Sequence, residues 1–347
     1  MTVRTVRVEL GDRSYAIAIG TRILGRVREF VPPGVSKVAI LTQANIPHIP
    51  DMGELDTRIF TVPEGEGAKS MAVAADLAEG IADFGLSRSD LVVAVGGGVV
   101  TDLAGFVASV YYRGIRYMNV ATTLLAQVDA AIGGKTGVNL PAGKNLIGSF
   151  WQPSAVICDV ATLSTLSGRE LRSGLGEMAK YEFLGSGRLE KDDLESAVAR
   201  CAAIKAAFVS GDEREGGARA ILNYGHTMGH ALEALGLAGR GEHLYHGEAV
   251  AIGLIFAAHL AEVLGRIGPV DLGLHYDVVT RMGLPDRLPD GVDVEDTFPF
   301  LERDKKAMGS ITFVLRSPGS EALEVVRGIE RDDIRRAWAA MEAGQRS

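Results

Sequence analysis

Residues 91–121, LVVAVGGGVVTDLAGFVASVYYRGIRYMNVA, contain the pattern that decides the fold. The continuous apolar run Leu91–Val95 predicts a buried strand, which leads directly into the three glycines at 96–98. A helix is predicted from Val100 to Tyr111, and a second strand from Ile115 to Ala121. A strand, a helix and another strand in succession predict a parallel sheet that is covered by helices.

The same alternation continues on both sides of this segment. Further strands are predicted at 37–42, 57–62 and 155–159. Between Lys69 and Phe84 the apolar residues recur every three or four positions, as they do on one face of a helix. The first half of the chain therefore predicts a parallel sheet that is covered by helices.

From about Ser167 the pattern becomes mainly helical. The predicted elements are helices at 169–183, 189–210, 218–235 and 246–264, and a strand hairpin at 310–315 and 322–326. We therefore expect an α/β plus α chain with two domains. Residues 1–163 would form a Rossmann-like parallel-sheet domain, and residues 164–347 a mainly helical domain with a small hairpin.

Composition excludes several classes of protein. The 347 residues carry a formal net charge of -8, whereas a nucleic-acid binder usually shows a basic stripe. The two cysteines form no CxxC pair, which excludes a disulfide scaffold and fits a reducing compartment. We expect no membrane span, because no apolar run approaches ~18 residues, and no signal peptide, because no uninterrupted apolar run follows the basic residues near the N-terminus. The expected location is the cytoplasm.

The glycines at 96–98 follow a strand and precede a helix. Glycine lets backbone N–H groups approach a ligand closely, and a helix N-terminus favours a phosphate, so a dinucleotide would suit this position. The motif departs from GxGxxG, and a tight strand-to-helix turn explains it equally well. Asp102 is a candidate for a ribose or nicotinamide contact, or it only favours the first turn of the helix.

Histidines are concentrated in one short segment. Of the seven in the chain, four lie between His226 and His246. His226 and His230 are four residues apart and share a helix face, while Glu177 and Lys180 are three apart on an earlier helix. Two imidazoles and one carboxylate make a catalytic metal site with an open position. Spacing cannot choose which histidines bind a metal; the simplest interpretation takes both His226 and His230, and ordinary hydrogen-bonded histidines remain the alternative.

Several cations lie in unusual surroundings, and a lysine beside small residues can project into a cleft. They are Lys135, Lys144, Lys180, Lys205, Arg219 and Lys305. A substrate with both a phosphate and a carboxylate would explain why so many are needed, although a solvated charge is the commoner role of any single lysine.

Five long motifs occur in a characteristic order. They are GGGVVTDLAGF from 96, TTLLAQVDAAIGGKTGVNLPAGKNLIGSFWQP from 122, GLGEMAKY from 174, DEREGGARAILNYGHTMGHALE from 212 and HGEAVAIG from 246. Together they closely resemble the 3-dehydroquinate synthase family. The resemblance implies an NAD-dependent first domain and a metal- and substrate-binding second domain. It also implies zinc or cobalt, a homodimer, and conversion of the sugar-acid phosphate DAHP into 3-dehydroquinate.

The resemblance also implies roles for individual residues. The metal ligands would be Glu177, His226 and His246, and the catalytic residues Glu215 (a proton acceptor), His230, Lys135 and Asp129. NAD would contact Gly97, Gly98, Val99, Asp102, Thr122, Thr123, Lys144, Asn45, Glu66 and Lys69. Substrate would contact Arg113, Asn145, Lys180, Lys205, Arg219, Asn223 and Lys305, with Lys306 an alternative to Lys305.

Two residues depart from the family pattern, and three other functions stay open. Ala121 stands where proline is usual and Thr101 where glycine is usual, but neither change removes a functional side chain. One alternative is another sugar-phosphate cyclase, such as an aminodehydroquinate, valiolone-type or deoxy-inosose synthase. A second is a metal-dependent NAD polyol dehydrogenase, and a third is a family member that only binds.

Overall fold

The computed structural model describes residues 3–189 and 193–345, without the side chains of 303–308 and 345. The chain divides into two compact units, Met1–Ser167 with Asp192–Arg214, and Gly168–Lys191 with Glu215–Ser347. The continuous boundary predicted near residue 163 differs from this division. The segment 192–214 returns to the first unit because its helix packs on the edge of the sheet.

The first unit is built on a mainly parallel sheet. Its strands are β1 Arg4–Val8, β2 Tyr15–Gly20, β3 Lys37–Gln43, β4 Asp56–Val62, β5 Leu91–Gly96 and β6 Arg116–Ala121, followed by the hairpin β7 Lys135–Leu140 and β8 Gly143–Phe150, and by β9 Ala155–Asp159. The order of the seven-stranded sheet is β1-β2-β9-β6-β5-β3-β4, and among its described strands only β1 and β2 pair antiparallel, while β7 and β8 form a separate antiparallel pair. The predicted Rossmann-like sheet is therefore confirmed. The hairpin was not predicted.

The sheet buries apolar side chains on both faces. Its helices are α1 Met71–Asp83, α2 Gly98–Val110 and α4 Leu194–Gly211, with α3 Gly168–Tyr181 belonging to the second unit. Alternate residues such as Leu41 and Val92 pack in one core with α1 and α2, whereas Ile40 and Val93 pack in the other with Ile23 and Val27. Burial on both faces explains why these strands read as continuous apolar runs.

The order in which the chain adds strands to the sheet reverses between β3 and β5. From β3 the chain moves outward to β4 and then returns to the other side of β3 as β5. Ligands bind at such a switch point, outside the carboxyl ends of the strands. The segments that follow β3 and β5 contain Asn45 and the glycine loop, and Ile46 lies against Gly96.

The second unit is mainly helical, as predicted. After α3 its helices are α5 His226–Leu237, α6 His246–Val263, α7 Pro269–Arg281, α8 Val294–Met308 and α9 Arg331–Gln345, with the hairpin β10 Thr312–Arg316 and β11 Leu323–Arg327. The length and apolarity of α6 would suit a membrane span, but it is mostly buried among α3, α5, α7 and α9, as the core helix of a folded domain is.

The single helix predicted at 218–235 was wrong. A 3₁₀ helix, Ala218–Asn223, ends before Tyr224, and Gly225 adopts a left-handed backbone (φ 80°) before α5 begins. Arg219 and Asn223 therefore do not share an α-helical face. A Cβ at Gly225 would lie 2.9 Å from the carbonyl oxygen of Val250, so this close turn against α6 requires glycine.

Candidate functional site

The glycine loop lies at the carboxyl end of the sheet, next to a second polar loop. Gly96 and Ala121 are partners at the ends of β5 and β6, so Gly97 and Thr122 leave the sheet side by side. A Cβ at Gly97 would lie 2.8 Å from Cγ2 of Thr123, which explains the need for glycine there. Thr122 is itself tied to this edge, because its N–H donates to the carbonyl of Gly96 (3.0 Å).

Backbone donors are available at the start of α2. Gly97 is the N-cap residue, and its lack of a side chain leaves the first turn, including Gly98 and Val99, without a side-chain cap. First-turn N–H groups and the helix dipole together favour an anion. The loop therefore suits the pyrophosphate that the sequence predicted.

Lys69 organises a polar network beside this loop. Its side chain is 5% exposed, and Nζ donates to Asp102 Oδ2 (2.7 Å) and to Asn145 Oδ1 (2.7 Å). Glu66 Oε1 lies 3.6 Å from the same Nζ. Burial lowers the pKa of Lys69, but the negative charges of Asp102 and Glu66 raise it by a larger amount. The pKa therefore lies above its ordinary value, and the ammonium is retained at neutral pH. Four residues that the sequence assigned to ligand contacts are thus brought together.

Sequence reasoning missed Asn139, which joins this network. Its Nδ2 donates to Glu66 Oε1 (2.7 Å), and its Oδ1 accepts from the backbone N–H of Asn145 (2.8 Å). Its own N–H donates to the carbonyl of Lys69 (2.8 Å). The β7–β8 register shifts between Val138 and Leu140, so pattern alone would not have identified this position.

A second charged group in the first unit pairs Asp129 with Lys205. Asp129 lies in a π-helical turn, Ala126–Ala130, and Lys205 comes from α4. Nζ of Lys205 lies 2.8 Å from Oδ1 of Asp129 and donates to its backbone carbonyl (2.7 Å). Lys205 is buried, so the return of α4 to the sheet is what places this cation.

The remaining predicted residues of the first unit are exposed. They are Asn45, Arg113, Lys135 and Lys144. Arg113 adopts a left-handed backbone (φ 65°), as does Asn145 (φ 55°). Such backbones are uncommon for residues other than glycine and concentrate at functional sites.

In the second unit, glycines bring α3, α5 and α6 close together. A Cβ on Gly176 would lie 2.0 Å from the carbonyl oxygen of Gly247, and a Cβ on Gly253 would lie 1.9 Å from that of Gly225. Glu177 follows the first of these glycines directly. His246 precedes Gly247 and His226 follows Gly225. The close helix crossings therefore bring these three polar side chains together.

Their atoms meet at one carboxylate oxygen. Oε1 of Glu177 lies 2.9 Å from Nε2 of His226 and 3.1 Å from Nε2 of His246. The other ring nitrogens also face acceptors, since Nδ1 of His226 lies 3.1 Å from the carbonyl of Tyr224 and Nδ1 of His246 lies 3.2 Å from Oε2 of Glu233. A ring that is neutral and protonated on Nδ1 directs the lone pair of Nε2 at the carboxylate.

Acceptors that face one another need a positive charge between them. Burial lowers the pKa of His226, which favours its neutral ring. Burial also lowers the pKa of His246, but hydrogen bonds to Glu177 and Glu233 raise it to about 10, so without a metal this ring carries a proton on both nitrogens and supplies that charge. Two imidazoles and a carboxylate form a normal donor set for a divalent metal, so the residues present fit such an ion.

Glu177 is fully buried, and a cation compensates its charge. Nζ of Lys180 lies 2.5 Å from Oε2 of Glu177, and Lys180 is only 1% exposed. Burial raises the pKa of the Glu177 carboxyl, but Lys180 and His226 lower it much more, so the group is ionised. The lysine that the sequence assigned to substrate therefore also contacts the candidate metal ligand.

His230 is a rival for the third ligand position. Ring nitrogens of His226, His230 and His246 all lie within 4.8 Å of one another, so three histidines also make a possible metal site. Nε2 of both His226 and His246 contacts Glu177, however, and Nδ1 of each ring faces an acceptor. This orientation favours Glu177 over His230 as the third ligand.

A carboxylate and an amide form a further pair. Glu215 has a left-handed backbone (φ 58°), and its Oε1 accepts a hydrogen bond from Nδ2 of Asn223 (3.0 Å). Arg219, from the same 3₁₀ helix as Asn223, is 1% exposed. Lys305 and Lys306 belong to the range whose side chains lie outside the described residues.

Family models match most of the chain. The model for the N-terminal domain of 3-dehydroquinate synthase matches residues 59–173, and the model for its C-terminal domain matches residues 173–307. The first model covers the Lys69 network, and the second covers Glu177, His226 and His246.

Individual relatives agree with these models. A candidate aminodehydroquinate synthase from Amycolatopsis mediterranei is 43% identical, over 93% of this chain and 91% of its own length. The 3-dehydroquinate synthase of Desulforamulus reducens is 41% identical, over 95% of this chain and 98% of its own length. Among solved structures, 2-deoxy-scyllo-inosose synthase with carbaglucose-6-phosphate, NAD+ and Co2+ matches with a TM-score of 0.85 and 27% identity, over 98% of this chain and 100% of that chain. This chain belongs to the 3-dehydroquinate synthase family.

Proposed function

We propose that this protein is a sugar-phosphate cyclase that converts DAHP into 3-dehydroquinate and phosphate, using NAD and a divalent metal, zinc or cobalt. The observation that carries the proposal is the contact of Nε2 of both His226 and His246 with Oε1 of Glu177. The relative from D. reducens is named for this activity, and the inosose synthase structure contains NAD+ and Co2+. The reaction is a carbon–oxygen lyase reaction without net oxidation.

Glu177, His226 and His246 would hold the metal. Bound there, a divalent ion supplies a Lewis acid for the hydroxyl groups of the substrate, and three protein ligands leave positions open for them. Lys180 keeps Glu177 ionised through its 2.5 Å ion pair. His230 would transfer protons, since its ring lies beside both histidine ligands (5.3 and 5.6 Å between centroids).

The first unit would bind NAD at the carboxyl end of its sheet. The amino end of α2 would take the pyrophosphate through backbone N–H groups. Lys69 and Asp102 form an ion pair there that would face the rest of the dinucleotide. The further contacts that we assign to NAD come from Asn45, Glu66, Gly97, Gly98, Val99, Thr122, Thr123 and Lys144.

Other polar residues would hold the substrate and move its protons. We assign proton acceptance to Glu215, because Asn223 orients its carboxylate with a hydrogen bond of 3.0 Å. Lys205 and Arg219 are buried cations suited to the phosphate and carboxylate of DAHP, and Arg219 would grip one of them in a bidentate manner. The remaining residues assigned to substrate are Arg113, Asp129, Lys135, Asn145, Lys180 and Lys305.

The polyol dehydrogenase alternative is disfavoured by charge. A small uncharged alcohol would offer no anionic group to the buried cations Lys205 and Arg219, which we assign to substrate. The aminodehydroquinate alternative has direct support, because the A. mediterranei relative is 43% identical to this chain. It is our second candidate function.

Comparing the two substrates tests the proposal. The protein is loaded with Co2+ or Zn2+ and given a little NAD, and kcat/KM is measured with DAHP and with its amino analogue, by phosphate release and product mass. Preference for DAHP with a product of the mass of 3-dehydroquinate supports the first function. Preference for the amino analogue supports the second, and inactivity with both contradicts the cyclase. The homodimer and the cytoplasmic location stay predictions, which light scattering and cell fractionation would check.

A further inference from the structure

Glu233 lies beside the candidate metal ligands, although no role was predicted for it from the sequence. It lies on α5, two helical turns after His226, and its side chain is 15% exposed. Its Oε2 lies 3.2 Å from Nδ1 of His246, which belongs to α6. The contact therefore joins two helices at a ring that also contacts Glu177.

The two histidines are oriented in the same way by different groups. In each ring Nε2 faces Oε1 of Glu177 and Nδ1 faces an acceptor. For His226 that acceptor is a backbone carbonyl, the one of Tyr224. For His246, at the first position of α6, the acceptor is the carboxylate of Glu233. An acceptor at Nδ1 fixes the tautomer that leaves Nε2 free to bind a metal.

We propose that Glu233 is a positioning residue of the metal centre, which accepts the Nδ1–H of His246 and directs its Nε2 toward Glu177. The inference depends on the proposed function, because it assumes that a divalent metal binds there. The negative charge of Glu233 makes Nε2 a more basic ligand than a carbonyl partner would. A Glu233 that only held α5 against α6 would contribute to stability without affecting metal affinity.

Metal binding distinguishes these roles. Glu233→Ala, Glu233→Gln and the control Glu262→Gln, on α6, are titrated with Co2+ against a chromophoric chelator. The visible spectrum of the Co2+ protein and the melting temperature of the metal-free protein are recorded as well. We expect Glu233→Ala to lose affinity by ~10–100-fold and to change the spectrum. Glu233→Gln loses less, because the amide oxygen still accepts the hydrogen bond, and Glu262→Gln matches wild type.

Wild-type affinity and an unchanged spectrum in Glu233→Ala would overturn this role. A lower melting temperature with wild-type affinity would overturn it too, since Glu233 would then act only between the helices. If the wild-type protein itself binds no Co2+, the metal assignment fails, and the role of Glu233 fails with it. The wild-type titration therefore separates failure of the proposed function from failure of the inference about Glu233.

Discussion

Gly176 and Gly247 face each other where α3 crosses α6, so closely that a Cβ on Gly247 would lie 1.7 Å from the carbonyl oxygen of Ser173. Each glycine is the neighbour in sequence of a candidate metal ligand, Glu177 or His246. The position of these ligands therefore depends on a backbone contact that no residue with a side chain permits.

Gly247→Ala should consequently disturb both stability and metal binding. The added methyl group meets backbone, which cannot rotate away, so we expect a loss of about 3 kcal/mol or more in the free energy of unfolding. Metal affinity should fall as well. Urea unfolding and a Co2+ titration measure the two effects. Gly168→Ala, at the open start of α3, is the matched control, because no atom lies within 4 Å of its new Cβ.

The choice of ligands can be tested by single substitutions. Loss of a residue that only hydrogen-bonds to a metal ligand reduces metal affinity by up to ~100-fold. His226→Ala should reduce it by more than this, because a direct ligand is removed. His230→Ala should keep metal affinity within about threefold of wild type and lose turnover instead. Metal content after dialysis and Co2+ titration give the result. Metal loss in His230→Ala would show that the three-histidine set binds the ion.

The hairpin residue Asn139 should matter for NAD. Asn139→Ala removes the hydrogen bonds to Glu66 and to the N–H of Asn145, each worth about 1 kcal/mol. We expect NAD to bind about tenfold more weakly, measured by calorimetry on the metal-loaded protein. Leu146→Ala, an exposed position on β8, should bind NAD as wild type does. Equal dissociation constants for all three proteins would refute a role of the network in NAD binding.

Asp90 links pH to stability outside both candidate sites. It accepts hydrogen bonds from the backbone N–H groups of Ser36, Lys37 and Ser87 and from two hydroxyls. Burial raises the pKa of its carboxyl, but the hydrogen bonds of Ser87, Lys37 and Ser36 lower it well below its usual range.

A depressed pKa in the folded state means that this stabilisation is present above the unfolded pKa of ~4 and is lost as the pH falls below it. Wild type should therefore be more stable than Asp90→Asn at pH 7, and the difference should shrink below about pH 4. Urea unfolding of both proteins from pH 3 to 7 measures it. A difference that does not change with pH would contradict the account.

Local pattern predicted much of the fold. The strand Leu91–Gly96 and the helix Gly98–Val110 follow from the apolar run, the glycine loop and the helical periodicity, because the strand lies inside the sheet and the helix packs against it. The periodicity of α4 predicted a helix but could not show that its partners, β1 and β2, lie far away in the sequence. The break at Gly225 was missed since close approach to α6 is a tertiary requirement.

The candidate site was predictable where residues have motifs, and less so where contacts orient them. His226, His246 and Glu177 were assigned by resemblance, and the structure brings them together. Helical spacing alone suggested His226 with His230, because it cannot show where a third helix crosses. Glu233 and Asn139 stand within the quoted motifs but were not assigned, since their roles lie in hydrogen bonds to other residues.

The most direct test measures, in one reaction, how many phosphate molecules are released for each molecule of NAD supplied. The metal-loaded protein is supplied with excess DAHP and a small, known amount of NAD, and phosphate and NADH are followed together. The account predicts many phosphates released per NAD and no accumulation of NADH, because the hydride returns to the substrate. NADH that accumulates in step with product, or NADH formed from simple polyols without phosphate release, would contradict it.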